Sequence, residues 1–285
     1  MTRMVLKMSL LVCALTLFVS TAYANEKCKE CHAGIVANHA STLHGKAGKN
    51  CDACHGGLEA HAASGDRKDI IAFGKGDAKK QDAQCLGCHA KNQKLMFWDN
   101  SRHQREDVSC VSCHSIHKAS KPQPQQPEKC FGCHKNVKAD ANKISHHPII
   151  EGKVKCSDCH NPHGTLTKFM IKAETVNLLC YNCHADKRGP YINQHPPVEE
   201  DCMICHAPHG TKAYRLTREK MPNLCNNCHG GVHSSGMWTA ANSFDGPGTK
   251  SGRFFGRSCL NCHVNIHGSN APTGTSGRHG QRFER

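Results

Sequence analysis

One apolar run stands out along the chain, residues 8–20, with Arg3 and Lys7 ahead of it and "TAYA" behind it. Basic residues, then an apolar stretch, then small residues at Ala22 and Ala24 predict a secretory signal peptide over 1–24. A membrane anchor needs roughly 20 apolar residues, more than this run offers. Val12 ahead of Cys13 argues against a lipoprotein. No later segment is apolar enough to span a bilayer as a helix. The rest of the chain is polar, broken by short apolar stretches such as "AETVNLLCYNCH" and "TREKMPNLCNNCH". Those two read as short helices feeding into a C-x-x-C-H string. The insert 62–84 holds one further short apolar segment at Ile70, Ile71 and Phe73.

The whole chain carries 47 Leu, Ile, Val and Phe among 285 residues, and its mean hydropathy is −0.58. That share lies below the roughly 20% at which charged chains tend to stay disordered. Unaided, such a polypeptide buries too little apolar surface to offset its ordering entropy. Something other than side chains must supply the core.

Cysteine identifies it. The chain has 21 Cys, and all but Cys13 fall in C-x-x-C-H strings. Five are Cys28/Cys31/His32, Cys51/Cys54/His55, Cys85/Cys88/His89, Cys110/Cys113/His114 and Cys130/Cys133/His134. Five more are Cys156/Cys159/His160, Cys180/Cys183/His184, Cys202/Cys205/His206, Cys225/Cys228/His229 and Cys259/Cys262/His263. In an exported chain, cysteines first suggest disulfides, and C-x-x-C alone also suits zinc or thiol redox chemistry. A His after every pair is the signature of c-type haem attachment. In a helical turn, residues i, i+3 and i+4 share a face. Two thioethers and one imidazole at those offsets therefore grip a single porphyrin. Ten covalent haem c groups are predicted, about one per 26 residues of mature chain, so the haems are the hydrophobic core.

Haem also accounts for the charge. The formal +14 falls by two with the signal peptide. Each bis-His ferric haem with ionised propionates adds about −1, bringing the holoprotein to about +2 oxidised and about −8 reduced. The Lys and Arg excess offsets propionates, and no nucleic-acid partner is indicated.

The sixth ligand of each iron separates carrier from enzyme. Of 23 His, thirteen lie outside the motifs. A unit recurs four times: a leading His, a C-x-x-C-H, a trailing His, and a second C-x-x-C-H. The four repeats run His44–His89, His103–His134, His147–His184 and His195–His229. They supply His44, His61, His103, His117, His147, His163, His195 and His209. His233 and His267 are left to balance the haems at Cys28 and Cys259 outside the repeats. Ten candidates meet ten haems, which predicts bis-His ligation throughout. His39, His146 and His279 are then surplus. His44 is preferred over His39 for its seven-residue lead to Cys51, and the His-Pro pair favours His147 over His146. Met96, Met170, Met203, Met221 and Met237 are expected to pack rather than ligate. There is no C-x-x-C-K string and no nucleophile–base or nucleotide-loop constellation, so a catalytic site is not expected.

In "CSDCHNPHG" (156–164) and "CMICHAPHG" (202–210) the second His stands three residues after the first. It is too close to reach the opposite face of the same porphyrin. Pro162 disfavours helix at the residue before it, so His163 should aim at a neighbouring haem. Of the remaining chain, "KPQPQQPE" (121–128) reads as extended. Trp238, Phe244, Phe254 and Phe255 in the insert 234–258 read as haem-packing or end-capping aromatics.

Those two strings, with "CHADKRGP" and the closing "RSCLNCHVNIHGSN", resemble the MtrA/DmsE family of periplasmic decahaem cytochromes over essentially the whole mature chain. The family's distal-ligand pattern falls on the same ten His. The resemblance implies an elongated protein whose stacked haems form a wire inside an outer-membrane β-barrel porin. It implies periplasmic or inner-membrane cytochrome donors, with an extracellular multihaem cytochrome or terminal reductase as partner. A polar chain without spanning segments cannot cross a membrane unaided, so transmembrane conduction would require the porin. A soluble periplasmic shuttle is the alternative, and a multihaem reductase a third. The expected fold is a multihaem cytochrome c: mostly coil with short α-helices, a core of ten stacked haems, and little or no β-sheet. The decahaem domain spans 25–285, with haem-pair repeats near 25–140 and 141–267 and a flexible tail over 268–285.

Overall fold

The computed structural model describes residues 26–118, 125–229, 258–261 and 263–270. The predicted signal peptide, His233, His279, Cys262 and the four aromatics of the insert 234–258 lie outside them.

Helices among the described residues are short. A helix over 26–40, α1, carries the first motif. It is followed by α2 (Leu43–Lys46), α3 (Leu58–Ser64), α4 (Ala78–His89), α5 (Arg102–Arg105) and α6 (Cys110–Cys113). Further on come α7 (Glu128–Phe131), α8 (Lys135–Ala141), α9 (Cys156–Cys159), α10 (Val176–Tyr181), α11 (Pro196–Glu200) and α12 (Asn223–Asn226). No strand forms among the described residues, only isolated bridges. None of their helices is long and apolar enough to cross a membrane.

The two motifs of a repeat sit differently on their helices. In the first motif the leading Cys opens the turn, as in α6, α9 and the 3-10 turns Cys51–Ala53 and Cys202–Ile204. The His that follows is already extended, with ψ 140° at His114 and 145° at His160. Asn161-Pro162 then cannot resume helix. In the second motif a helix leads in, as α4 and α10 do. Asp77 caps α4 by accepting from the N–H groups of Lys79 and Lys80, and the Thr175 hydroxyl caps α10 at Leu178 N. Such caps are worth about 1 kcal/mol each and fix where each helix begins.

The polypeptide scarcely has a core of its own. Among the described residues the buried apolar side chains are Ala78, Trp98, Phe131, Ala141, Ile149 and Ala213. Phe131, Ala141 and Ile149 form one cluster, edged by Val137 and Val154.

Two compact units are distinguished. One comprises 1–129 with Pro162–Leu166, the other Cys130–Asn161 with 167–285. These units are a different division from the haem-pair repeats expected near 25–140 and 141–267. Residues 162–166 join the first unit because Gly164 seats there. Its φ is +104°, and a Cβ would stand 2.5 Å from the Phe97 carbonyl and 2.9 Å from Ser101 Cβ. In the second unit Gly210 (φ +151°) abuts the Asp140 carbonyl in the same way. Thr211 bridges to Ser145 through Thr211 N–Ser145 O at 2.8 Å. The pattern recurs a third time, where Ser269 bridges to Asn193 and Gly268 lies against the Tyr191 ring. The first residues of the tail expected to be loose from 268 are therefore docked.

Candidate haem sites

Eight of the ten motif histidines are each met by a histidine outside the motifs. In the first unit, ring centroids lie 6.3 Å apart for His32 and His61, 6.0 Å for His55 and His117, 5.8 Å for His89 and His44, and 6.0 Å for His114 and His163. In the second they lie 6.1 Å apart for His160 and His209, 6.2 Å for His184 and His147, 6.1 Å for His206 and His267, and 5.9 Å for His229 and His195. A metal–imidazole bond of about 2 Å on each side, plus roughly 1 Å from each nitrogen to its ring centre, separates two trans imidazoles by about 6 Å. All eight pairs have the spacing an iron ion between them requires. Among the described residues no three or more His, Cys, Asp or Glu converge into a metal cage. The imidazoles meet in twos, which suits a porphyrin metal and not zinc.

The pairing follows a rule that spacing did not disclose. In the first, third and fourth repeats the His of the second motif faces the leading His of its own repeat: His89 faces His44, His184 faces His147, and His229 faces His195. The His of each first motif faces the trailing His of the next repeat: His55 takes His117, His114 takes His163, and His160 takes His209. The series is displaced at both ends, so that His32 takes His61 and His206 takes His267. The expectation that His267 balances a haem outside the repeats is corrected accordingly. Glycine seating next to His163, His209 and His267 carries each of these three back by one repeat, so their offset is built into the backbone.

Backbone carbonyls orient the rings. The Nδ1–H of His147 donates to Pro208 O at 2.6 Å, and that of His103 to Pro162 O at 2.9 Å. The Pro-His-Gly string therefore does two things at once: its Pro carbonyl holds a leading His while its own His reaches a different motif. Among motif histidines, Nδ1–H of His160 donates to Phe169 O at 2.8 Å, that of His206 to Arg215 O at 3.0 Å, and that of His55 to Ile71 O at 2.7 Å. Phe73 lies edge-on to His55 at 5.2 Å. An Nδ1–H so held leaves Nε2 as the lone-pair nitrogen, the usual outer support of a ligating His. Two of these acceptors stand on strained backbone. Phe169 and Met170 have φ of 61° and 54°, and Arg215 and Leu216 have 56° and 58°. Left-handed non-glycine residues cost about 1–3 kcal/mol each. Short bridges hold both turns, His160 to Ile171 and His206 to Thr217.

Protonation suits ligation as well. Burial pushes His44, His117, His163, His195, His209 and His267 below the usual imidazole value, and the facing ring adds to the shift. The neutral ring is the form that binds metal. The surplus histidines differ. His146 uses both nitrogens, Nδ1–H to Lys143 O at 2.5 Å and Nε2 to Glu151 Oε1 at 3.0 Å, and Glu151 pulls its pKa up. His39 stands edge-on to His117, which already faces His55.

The attachment thiols also meet in pairs. Cys28 hydrogen-bonds with Cys51, Cys85 with Cys110, Cys180 with Cys202, and Cys225 with Cys259. Sharing a proton with Cys180 draws the Cys202 thiol down to about 7 and drives Cys180 up. Each pair joins the first cysteines of two successive motifs. Sequence spacing had signalled neither these pairs nor the carbonyl acceptors.

The predicted attachment cysteines differ in exposure. Cys31, Cys88, Cys133, Cys183 and Cys228 are exposed, whereas Cys54, Cys113, Cys159 and Cys205 are half-buried. The exposed five are second cysteines of motifs that a helix leads into, on or just after α1, α4, α7, α10 and α12. In those motifs the first Cys turns inward, most often to a neighbouring motif's thiol, and the second stands one turn further on with no polypeptide packed over it. Exposure suits attachment, because a thiol must be accessible to react.

Two known families match parts of the chain. A family described as a doubled CXXCH motif matches residues 146–189 and 195–233, the third and fourth repeats. One described as cytochrome c-type protein, NrfB-like, matches 51–124. Those stretches are multihaem c-type cytochrome domains, and C-x-x-C-H motifs of this kind hold haem c. It is 40% identical over 220 residues to multiheme cytochrome MtrA of Shewanella baltica (strain OS185), covering 74% of this chain and 65% of that protein.

Proposed function

We propose that this chain is a periplasmic decahaem c-type cytochrome and an electron carrier, one that conducts through an outer-membrane porin between periplasmic donors and extracellular cytochromes or reductases. The observation that carries this reading is the displaced pairing, in which each trailing His meets a motif one repeat earlier. Successive repeats thereby hold cofactors jointly and in sequence. Each bound haem supplies a one-electron Fe(III)/Fe(II) couple, with electrons hopping between neighbours.

The chain's own residues do the rest. Twenty cysteines tether ten groups, the exposed Cys31, Cys88, Cys133, Cys183 and Cys228 among them, with Cys262 from outside the described residues. His32, His55, His89, His114, His134, His160, His184, His206, His229 and His263 are the proximal ligands. His61, His117, His44, His163, His209, His147, His267 and His195 take the opposite positions described above, and His103 and His233 complete the ten. Carbonyls of Ile71, Pro162, Phe169, Pro208 and Arg215 fix ring orientation. Iron held between each facing pair would have both nitrogens supplied by protein and would offer no site to substrate or water, which supports electron carriage over catalysis. The four adjacent thiol pairs would bring the attachment edges of their two haems together, shortening those four hops. The similarity to an MtrA-type cytochrome supports the porin partner and the periplasmic location.

Haem quantitation and cell fractionation test this reading. Ten haems per chain, with recovery in the outer membrane beside a protease-protected β-barrel protein, are expected. Fewer haems would contradict the count. Recovery solely in the soluble periplasm would make the protein a shuttle.

A further inference from the structure

Asp82 is the one buried charged side chain among the described residues, 3% exposed. It lies on α4 one turn ahead of Cys85, on the face that carries that cysteine. Its Oδ1 accepts the backbone N–H of Cys110 at 2.8 Å, the first residue of the next motif. Its Oδ2 accepts the indole N–H of Trp98 at 3.0 Å. Trp98, 6% exposed, stands edge-on to His163 with centroids 6.1 Å apart, and His163 faces His114 across 6.0 Å. The carboxylate thus touches the Cys110 site at its attachment end and, through one ring, at its far ligand.

The third and fourth repeats rebuild this arrangement without the charge. Asn177, 7% exposed, stands three residues ahead of Cys180 as Asp82 does ahead of Cys85. Its Oδ1 accepts the N–H of Cys202 at 2.8 Å, and its Nδ2 donates to the carbonyls of Val198 and Glu199 at 2.9 and 3.0 Å. Positioning the next motif therefore needs only an amide oxygen. The carboxylate at 82 must do something more. Its described hydrogen-bond partners are neutral donors, so they leave its charge in place. Buried in low dielectric, that charge acts strongly on neighbours and is little screened by salt.

We propose that Asp82 is a redox-tuning residue, a fixed negative charge holding the haem at Cys110, Cys113 and His114 at a lower potential than its counterpart at Cys202, Cys205 and His206. Adding an electron beside a buried carboxylate is disfavoured, so the ferric form is stabilised. Asn177 exerts no such bias, and the carboxylate beside that motif, Asp201, is only half-buried and therefore better screened than Asp82. The two haems then differ in potential although their ligands are alike, giving electrons an energetic step within the row. This inference rests on the haem reading above and adds the source of one potential difference.

The test is an optical redox titration of the full holoprotein as wild type, Trp98→Phe, and the double variant Asp82→Asn/Trp98→Phe. Removing the indole N–H spares the new amide from facing a second donor. The double variant is expected to keep ten haems and to shift one haem's oxidised-to-reduced ratio roughly tenfold toward reduced, about 59 mV for one electron. Trp98→Phe alone should move it by less than a third of that, and high salt should leave the shift in place. An unmoved titration with all haems attached would overturn the proposal, as would an equal shift in Trp98→Phe alone. A wild-type protein lacking haem at Cys110 would instead remove the reading beneath it.

Discussion

In the first repeat, sixteen residues separate His55 from the carbonyl that receives its Nδ1–H. That carbonyl belongs to Ile71, which is absent from the left-handed residues, and Phe73 closes on the ring from the side. In the fourth repeat only nine residues separate His206 from Arg215, and both Arg215 and Leu216 are left-handed. A long loop reaches its acceptor position without strain. A short one must turn tightly, and the bridge from His206 to Thr217 holds it there. The two regions teach that the shared requirement within this molecule is an oriented imidazole, with loop length and backbone strain free to vary around it.

The largest effect is expected where the short-loop repeats are docked. Gly210→Val places a branched side chain against the Asp140 carbonyl at a φ no valine favours. Denaturant melts should show a loss of about 3 kcal/mol or more. Gly65 is also left-handed but has open space around it. There Gly→Ala should cost only about 1 kcal/mol, so equal losses at the two sites would refute the docking argument.

Next in size is the ligand comparison. His147→Ala should leave haem attached while converting one haem to high spin, and His146→Ala should leave every haem low-spin. Paramagnetic resonance of the ferric protein distinguishes them. The smallest effects compare the two loops directly. Arg215→Gly should stabilise the holoprotein by about 1 kcal/mol, because relieved left-handed strain exceeds the entropy glycine adds. Ile71→Gly should destabilise it by a similar amount, since no strain is there to relieve. Matching signs in thermal melts would mean the two loops are not different in kind.

Much of the candidate site was legible because covalent attachment demands contiguous spacing. Cys156, Cys159 and His160 must share one helical turn, and they can be read in line. The preference for His44 and His147 followed from spacing and from a Pro neighbour, and both of those rings face a motif His. The displaced pairing was not legible, because it depends on Gly210 and Thr211 docking beside Asp140 and Ser145, far away in sequence. Carbonyl acceptors leave no trace in side-chain patterns at all. Nor does the C-x-x-C-H string show that Cys88 is exposed and Cys113 half-buried, since that depends on whether a helix leads into the motif. Asp82 and Asn177 hold the same offset from Cys85 and Cys180, yet nothing in the sequence shows which amide lies opposite them. The near absence of a polypeptide core was legible from composition alone, and the short helices from their apolar leads.

The central claim, that trailing histidines ligate one repeat back, is tested most directly by combining two changes at one site. His163→Ala should give ten haems, one of them high-spin by ferric paramagnetic resonance. Adding Cys110→Ala and Cys113→Ala removes the haem that His163 faces through His114. Nine low-spin haems and no high-spin signal are then expected. A high-spin signal that persists after that haem is gone would place His163 on a different iron and contradict the pairing.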